Sequence, residues 1–147
     1  MESSAPPRVL IVAHKTAATP ALLEAVRERA ERGSCVFTLL VPNPAHGLHK
    51  VVDVEDQSSD EAQTVVDQAV PLLRQASGMP VDGMIGDADP MAAVHDAINL
   101  RGFDEVIVST LPVRLSRWLR LDLPSKVAGL GLPVVTVTSQ EDAEVPV

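Results

Sequence analysis

Five short apolar runs punctuate the chain, and amphipathic stretches separate them. Arg8-Val9-Leu10-Ile11-Val12-Ala13 is bounded by Pro7 and by His14-Lys15-Thr16, and residues 34–41 form a second run stopped by Pro42-Asn43-Pro44. Shorter ones follow at 81–85, 105–109 and 133–137. Continuous apolar runs of this length read as strands covered on both faces, as in parallel sheets. Between the first two, Thr19-Pro20 is a capping hydroxyl followed by a proline at the first helical position. Leu22, Leu23, Val26 and Ala30 then recur on one side, opposite Glu24, Arg27, Glu28, Glu31 and Arg32, and Gly33 closes the helix. Residues 45–58 are polar and acidic without a strong period, and are expected to form a loop. Ser58-Ser59-Asp60-Glu61 offers a capping box for a helix reaching about Ser77. Its inward positions are Ala62, Val65, Val66, Ala69, Leu72 and Leu73, and Pro71 is expected to kink it or end it early. Asp89-Pro90 repeats the cap-plus-proline start for a helix over 91–100, closed by Gly102. Helices over 111–120 and 124–130 complete the set.

Strands alternating with helices imply βαβ units. The expected fold class is α/β, a five-stranded doubly wound parallel sheet with helices on both faces. With 147 residues, no internal repeat and no long linker, the chain suits one domain. A flexible N-terminus over 1–7, the α/β domain over 8–138 and a flexible acidic tail over 139–147 are expected.

Composition narrows the class. Phe37, Phe103 and Trp118 are the only aromatics, so the core is aliphatic. No apolar run approaches the ~18 residues of a membrane span. The start, Met-Glu-Ser-Ser-Ala-Pro-Pro, is polar and unlike a signal peptide. A single cysteine, Cys35, excludes a disulfide framework and a cysteine-rich zinc site. A net charge of -8 argues against nucleic acid and anionic membrane as partners. A soluble cytoplasmic domain is the expectation.

In a doubly wound sheet, ligands sit outside the carboxyl ends of the strands, where strand order reverses. That directs attention to His14-Lys15-Thr16, Pro42-Asn43, Gly86-Asp87-Ala88-Asp89 and Ser109-Thr110. Enzymatic signatures are missing: there is no G-x-G-x-x-G, no phosphate loop, no nucleophile elbow and no H-E-x-x-H. Cys35 falls in an expected buried strand, where a thiol is inert. His46-Gly47-Leu48-His49 lacks further ligands and reads as solvated loop, so no metal is expected. His95 reads as a helix-surface residue. Asp89 reads as a helix cap and Asp87 as a turn residue, which leaves a small hydrolase built on His14 and Asp87 as a third-ranked reading.

Charge is unevenly distributed. Residues 53–110 carry two basic and twelve acidic side chains, whereas 111–130 carry Arg114, Arg117, Arg120 and Lys126 against Asp122 alone. On a helical wheel, Leu111, Leu115, Trp118 and Leu119 share one arc, and the three arginines fall within about 120° on the other. This is either the solvated face of an amphipathic helix or an anion site. In the second case guanidinium groups and amides near Pro124-Ser125 would hold a phosphate.

The order of elements resembles the universal stress protein family over nearly all of residues 8–138. The likeness is carried by the first strand, by Gly86-Asp87-Ala88-Asp89-Pro90, by Asp104-Glu105-Val106-Ile107-Val108 and by Leu132-Pro133-Val134-Val135-Thr136-Val137. It implies a flavodoxin-like sheet and a homodimer formed through the last strand. That strand is apolar and free of internal proline and lysine, as a pairing edge would be. ATP-binding members carry an aspartate at the end of strand one and G-x2-G-x9-G-[ST] after strand four. Here Ala13-His14 and Ser109-Thr110-Leu111-Pro112 stand in those places, and residues 120–123 lack the last glycine. Only Gly86 carries over. The resemblance implies a non-catalytic domain acting through dimerisation and partner or ligand binding, without ATP and without a cofactor. The alternative is a binder of a nucleotide or phosphorylated metabolite that uses the basic segment 111–130.

Overall fold

The computed structural model describes residues 6–14, 16–43, 52–111, 117–120 and 122–139, with the backbone alone for 52–60, 117 and 120. Its elements are β1 (Arg8–Val12), α1 (Pro20–Glu31), β2 (Val36–Pro42), α2 (Val52–Ser77), β3 (Val81–Gly86), α3 (Pro90–Arg101), β4 (Glu105–Thr110), α4 (Arg117–Arg120), α5 (Leu123–Ala128) and β5 (Val134–Thr138). The five strands form one parallel sheet in the order β3-β2-β1-β4-β5. This is the expected doubly wound architecture, and strand order reverses between β1 and β4.

Alternation along each strand divides the apolar residues between two layers. Val9 and Ile11 of β1 join Phe37, Leu39 and Val41 under α1 and α2, with Leu22, Val26, Ala62, Val66 and Leu73 above them. Leu10 and Val12 join Leu40, Val106 and Val108 under α3 and α5, packed by Ala93, Val94, Ala97, Leu123 and Val127. Val9 through Val12 are wholly buried. Each such side chain contributes roughly 1.5–3 kcal/mol relative to exposure, so β1 is the axis of the fold.

Both cap-plus-proline readings hold. Thr19 caps α1, its Oγ1 accepting from the Leu22 amide at 3.5 Å, and Asp89 caps α3, its Oδ1 accepting from the Met91 amide at 3.1 Å. Gly102 follows α3 with φ 79°, a conformation that strains any residue with a Cβ.

The second helix departs from expectation in three ways. It begins at Val52, six residues before the expected cap at Ser58, so 52–58 is helix and not loop. The acidic residues 53, 55 and 56 suit the positive end of a helix dipole, which the search for an apolar period missed. Second, the helix continues past Pro71 to Ser77. Pro71 is solvent-exposed, while Ala69, Val70 and Leu73 hold the inner face to the sheet. Third, Leu72 is 42% exposed and Val70 takes the inward position. Only Arg117–Arg120 of the helix expected over 111–120 is described as helical; 112–116 lie outside the described residues.

Ion pairing gathers at the amino ends of the strands. Arg29, Arg74 and Arg101 each lie in the last turn of a helix. Arg29 makes a bidentate pair with Glu105, at 2.8 Å on both arms, and donates to the Gly33 carbonyl. Arg74 donates to the Val81 carbonyl at 2.9 Å, and Arg101 reaches Asp82 at 3.0 Å. The Arg8 amide donates to Asp104 at 2.8 Å. Each guanidinium also complements the negative end of its own helix.

Candidate functional site

Register sets the opposite end of the sheet. Val12 of β1 pairs with Leu40 of β2 and Val108 of β4, while Thr110 pairs with Thr138 of β5 and Pro42 with Gly86 of β3. His14, Asn43, Ser109 and Thr110 therefore lie at the carboxyl end, around the point where strand order reverses. They are joined by Thr16, expected there with His14 at the end of the first strand, by Thr19, expected only as a helix cap, and by Ser139, which sequence reasoning did not single out.

These seven residues are mostly neutral and mostly bonded to one another. Thr16 and Ser109, 2% and 1% exposed, share a hydroxyl–hydroxyl bond of 2.6 Å. Thr19 and Ser139 share another of 2.8 Å. The Ser139 amide donates to the Thr110 carbonyl at 2.9 Å. Ser139, with which the expected tail begins, is thus 2% exposed and held at both its amide and its hydroxyl. His14 sits where β1 opens, its Nε2 3.9 Å from Glu61 on α2. Ser139 directly follows the last strand, as Thr110 ends the fourth, and that position is the signal that could have found it.

Two buried polar atoms here have no hydrogen-bond partner among the described residues: Oγ1 of Thr110, in a residue 3% exposed, and Oδ1 of Asn43. Buried polar groups are nearly always satisfied, and leaving one without a partner costs about 1–3 kcal/mol. Strand alternation puts Thr110 on the α3/α5 side with Val106 and Val108, whereas Ser109 bonds to Thr16 on the α1 side.

The other candidates have structural employment. Gly86 packs so closely that a Cβ there would meet Cβ of Ala93 at 2.7 Å and Cδ1 of Leu40 at 2.9 Å. It lets α3 settle on the sheet. Asp87 and Asp89 are exposed; Asp87 accepts from the Asp89 amide at 2.9 Å, which shapes the turn before α3. Asp87 follows β3 and His14 follows β1, with β2 between them in the sheet. His95 is on the exposed face of α3, 3.3 Å from Asn99. Ser125 and Lys126 are exposed on α5. Arg114, His46 and His49 lie outside the described residues, and Arg117 and Arg120 are placed only as backbone within α4. Among the described residues no group of three His, Cys, Asp or Glu could hold a metal ion. No described helix is long and apolar enough to cross a membrane.

Cys35 immediately precedes β2 and is 1% exposed. Burial raises its thiol above the ordinary value, with Arg29 opposing the shift. The folded protein therefore holds a proton that the unfolded chain releases in alkali, so this contribution to stability is present at neutral pH and lost in alkali.

No protein-family model and no curated protein matches this chain. Solved structures do. The chain is similar to universal stress protein UspA from Lactobacillus plantarum, with a TM-score of 0.68 at 17% identity, covering 92% of this chain and 99% of that one. It is similar to a universal stress protein in complex with cAMP, at 0.61 and 16%, over 91% and 98% of the two chains. A universal stress protein family protein from Arabidopsis thaliana with AMP bound gives 0.59 and 13%, over 96% of each. At these identities the likeness establishes the fold.

Proposed function

We propose that this chain is a non-catalytic, cytoplasmic, universal stress protein-like domain. It takes a small ligand at the carboxyl ends of β1 and β4 and acts on partners as a homodimer joined through β5. The observation that carries the ligand reading is the buried hydroxyl of Thr110, left without a partner at the reversal of strand order, where this architecture holds its ligands. Two of the solved structures most like this chain hold cAMP or AMP, which makes adenine nucleotides the first candidates to try.

ATP is not the expected ligand. Ser109, Thr110, Leu111 and Pro112 occupy the segment where the family's ATP binders place the glycines that admit phosphate to the backbone. Titration calorimetry should give an ATP dissociation constant weaker than about 10 μM, roughly -7 kcal/mol. Tighter binding contradicts this part of the reading. A thermal-shift screen against cAMP, AMP and phosphorylated metabolites tests the rest, and a salt-sensitive shift lost on replacing Arg114, Arg117 and Arg120 by Gln favours the basic segment as the binding element.

The dimer reading rests on the edge itself. Among the described residues β5 pairs only with β4, and Val135 is 50% exposed on it. An apolar edge without lysine or proline invites a further strand. Val135→Lys should shift the dimer toward monomer in light scattering, and an unchanged dimer places the interface elsewhere.

A further inference from the structure

Hydrogen bonds at the carboxyl end of the sheet close into a ring. Thr16 Oγ1 meets Ser109 Oγ at 2.6 Å, and Ser109 is followed in the chain by Thr110. The Thr110 carbonyl accepts from the Ser139 amide at 2.9 Å. Ser139 Oγ meets Thr19 Oγ1 at 2.8 Å, and Thr19 donates back to the Thr16 carbonyl through its hydroxyl at 3.2 Å and its amide at 3.3 Å. The ring ties together the turn between β1 and α1, the end of β4 and the end of β5. Topology alone requires no such connection. The turn and α1 belong to the crossover from β1 to β2, and β4 separates β5 from β1.

We infer that this ring couples the crevice to the β5 edge, so that a ligand seated at the switch point and a second copy seated on β5 each bias the other. The inference rests on the crevice-and-edge reading above and adds the device that links its two parts. Thr16, Ser109 and Ser139 are at most 2% exposed, so water does not replace a broken rung without local opening. Hydroxyl chains in low-dielectric surroundings polarise one another, and members of one network are non-additive on deletion. Thr19 is also the cap of α1, so loosening its bond to Ser139 reaches the first turn of that helix.

Hydrogen exchange on the ligand-free protein tests the ring directly, with Thr16→Val and Ser139→Ala made singly and together. Thr16→Val keeps the volume of a buried side chain and removes one rung. It should raise exchange at the amide of residue 139 about fivefold, the low end of ordinary coupling between sites. Ser139→Ala should act equally on the amides of Ala17 and Thr19. The double variant should exchange little faster than the worse single one, because either cut opens the same ring. Thr16→Ser, which keeps the hydroxyl, should exchange at residue 139 as the unmodified protein does. Effects confined to each variant's own rung, or rates that multiply in the double variant, overturn the inference. Sedimentation supplies the functional arm: Thr16→Val, remote from β5, should weaken dimerisation, and an unchanged dimer constant overturns the link to the edge. A protein that is monomeric at every concentration refutes the edge reading and with it the coupling to a second copy, while the exchange result still decides whether the ring is one unit.

Discussion

The two ends of the sheet are built from different chemistry. At the amino ends, charged side chains hold charged or backbone partners: Arg29 with Glu105, Arg101 with Asp82, Arg74 with the Val81 carbonyl, and Asp104 with the Arg8 amide. At the carboxyl ends around β1 and β4, the polar groups are small hydroxyls held at 2.6 and 2.8 Å, with Thr110 Oγ1 left over. A strong, satisfied end fastens helices to strands. The hydroxyl-built end keeps a buried group unpaired, which costs stability. In a fold without catalytic signatures, function is sought at the end where a buried polar group is left without a partner.

Substitutions at the two ends should therefore separate stability from binding. The largest effect is expected at Arg29→Ala, which strands Glu105 and removes a bidentate pair from a side chain only 9% exposed. Glu105, 29% exposed, is partly hydrated once its partner is gone, so the loss expected is that of charge-assisted hydrogen bonds, about 1.5–3 kcal/mol. Chemical denaturation should show that loss, with any nucleotide response unchanged. A lost response with unchanged stability would break the comparison. Next comes Gly86→Ala, whose Cβ collides with Ala93 and Leu40 and costs about 1–3 kcal/mol of overpacking. If Gly86 serves only the packing of α3, binding survives in the fraction that folds. The smallest is Arg101→Gln. Its pair with Asp82 is exposed by 35% and 56%, so less than about 1 kcal/mol is expected.

The fold was legible because its signals are local. Apolar runs marked all five strands to within two residues, and Thr19-Pro20 and Asp89-Pro90 marked the starts of α1 and α3. Where signals conflicted, reading by period failed. Residues 52–60 offer acidic helix-start chemistry without an apolar stripe, and Pro71 breaks a pattern that tertiary packing nonetheless continues. The candidate site was legible only in its location. His14, Thr16, Asn43, Ser109 and Thr110 followed from the switch-point rule, but the bonds that join Thr16 to Ser109 and Thr19 to Ser139 span 93 and 120 residues. No spacing in the chain announces such pairs. Arg29 was hidden for a similar reason: on the helix pattern it is an unremarked arginine, and only β4, brought beside α1, makes it a buried one.

Thr110→Val tests the central claim most directly, because it deletes the unpaired hydroxyl while keeping the side chain's shape. Thermal unfolding is measured with and without AMP. If the hydroxyl is kept for a ligand, the ligand-free variant is more stable by about 1 kcal/mol, since an isosteric apolar group relieves an unsatisfied one. In a domain of this size that raises Tm by roughly 2–5 °C, and the stabilisation that AMP gives the unmodified protein disappears. A Thr110→Val protein that melts lower than the unmodified one without ligand, and keeps its response to AMP, contradicts the account.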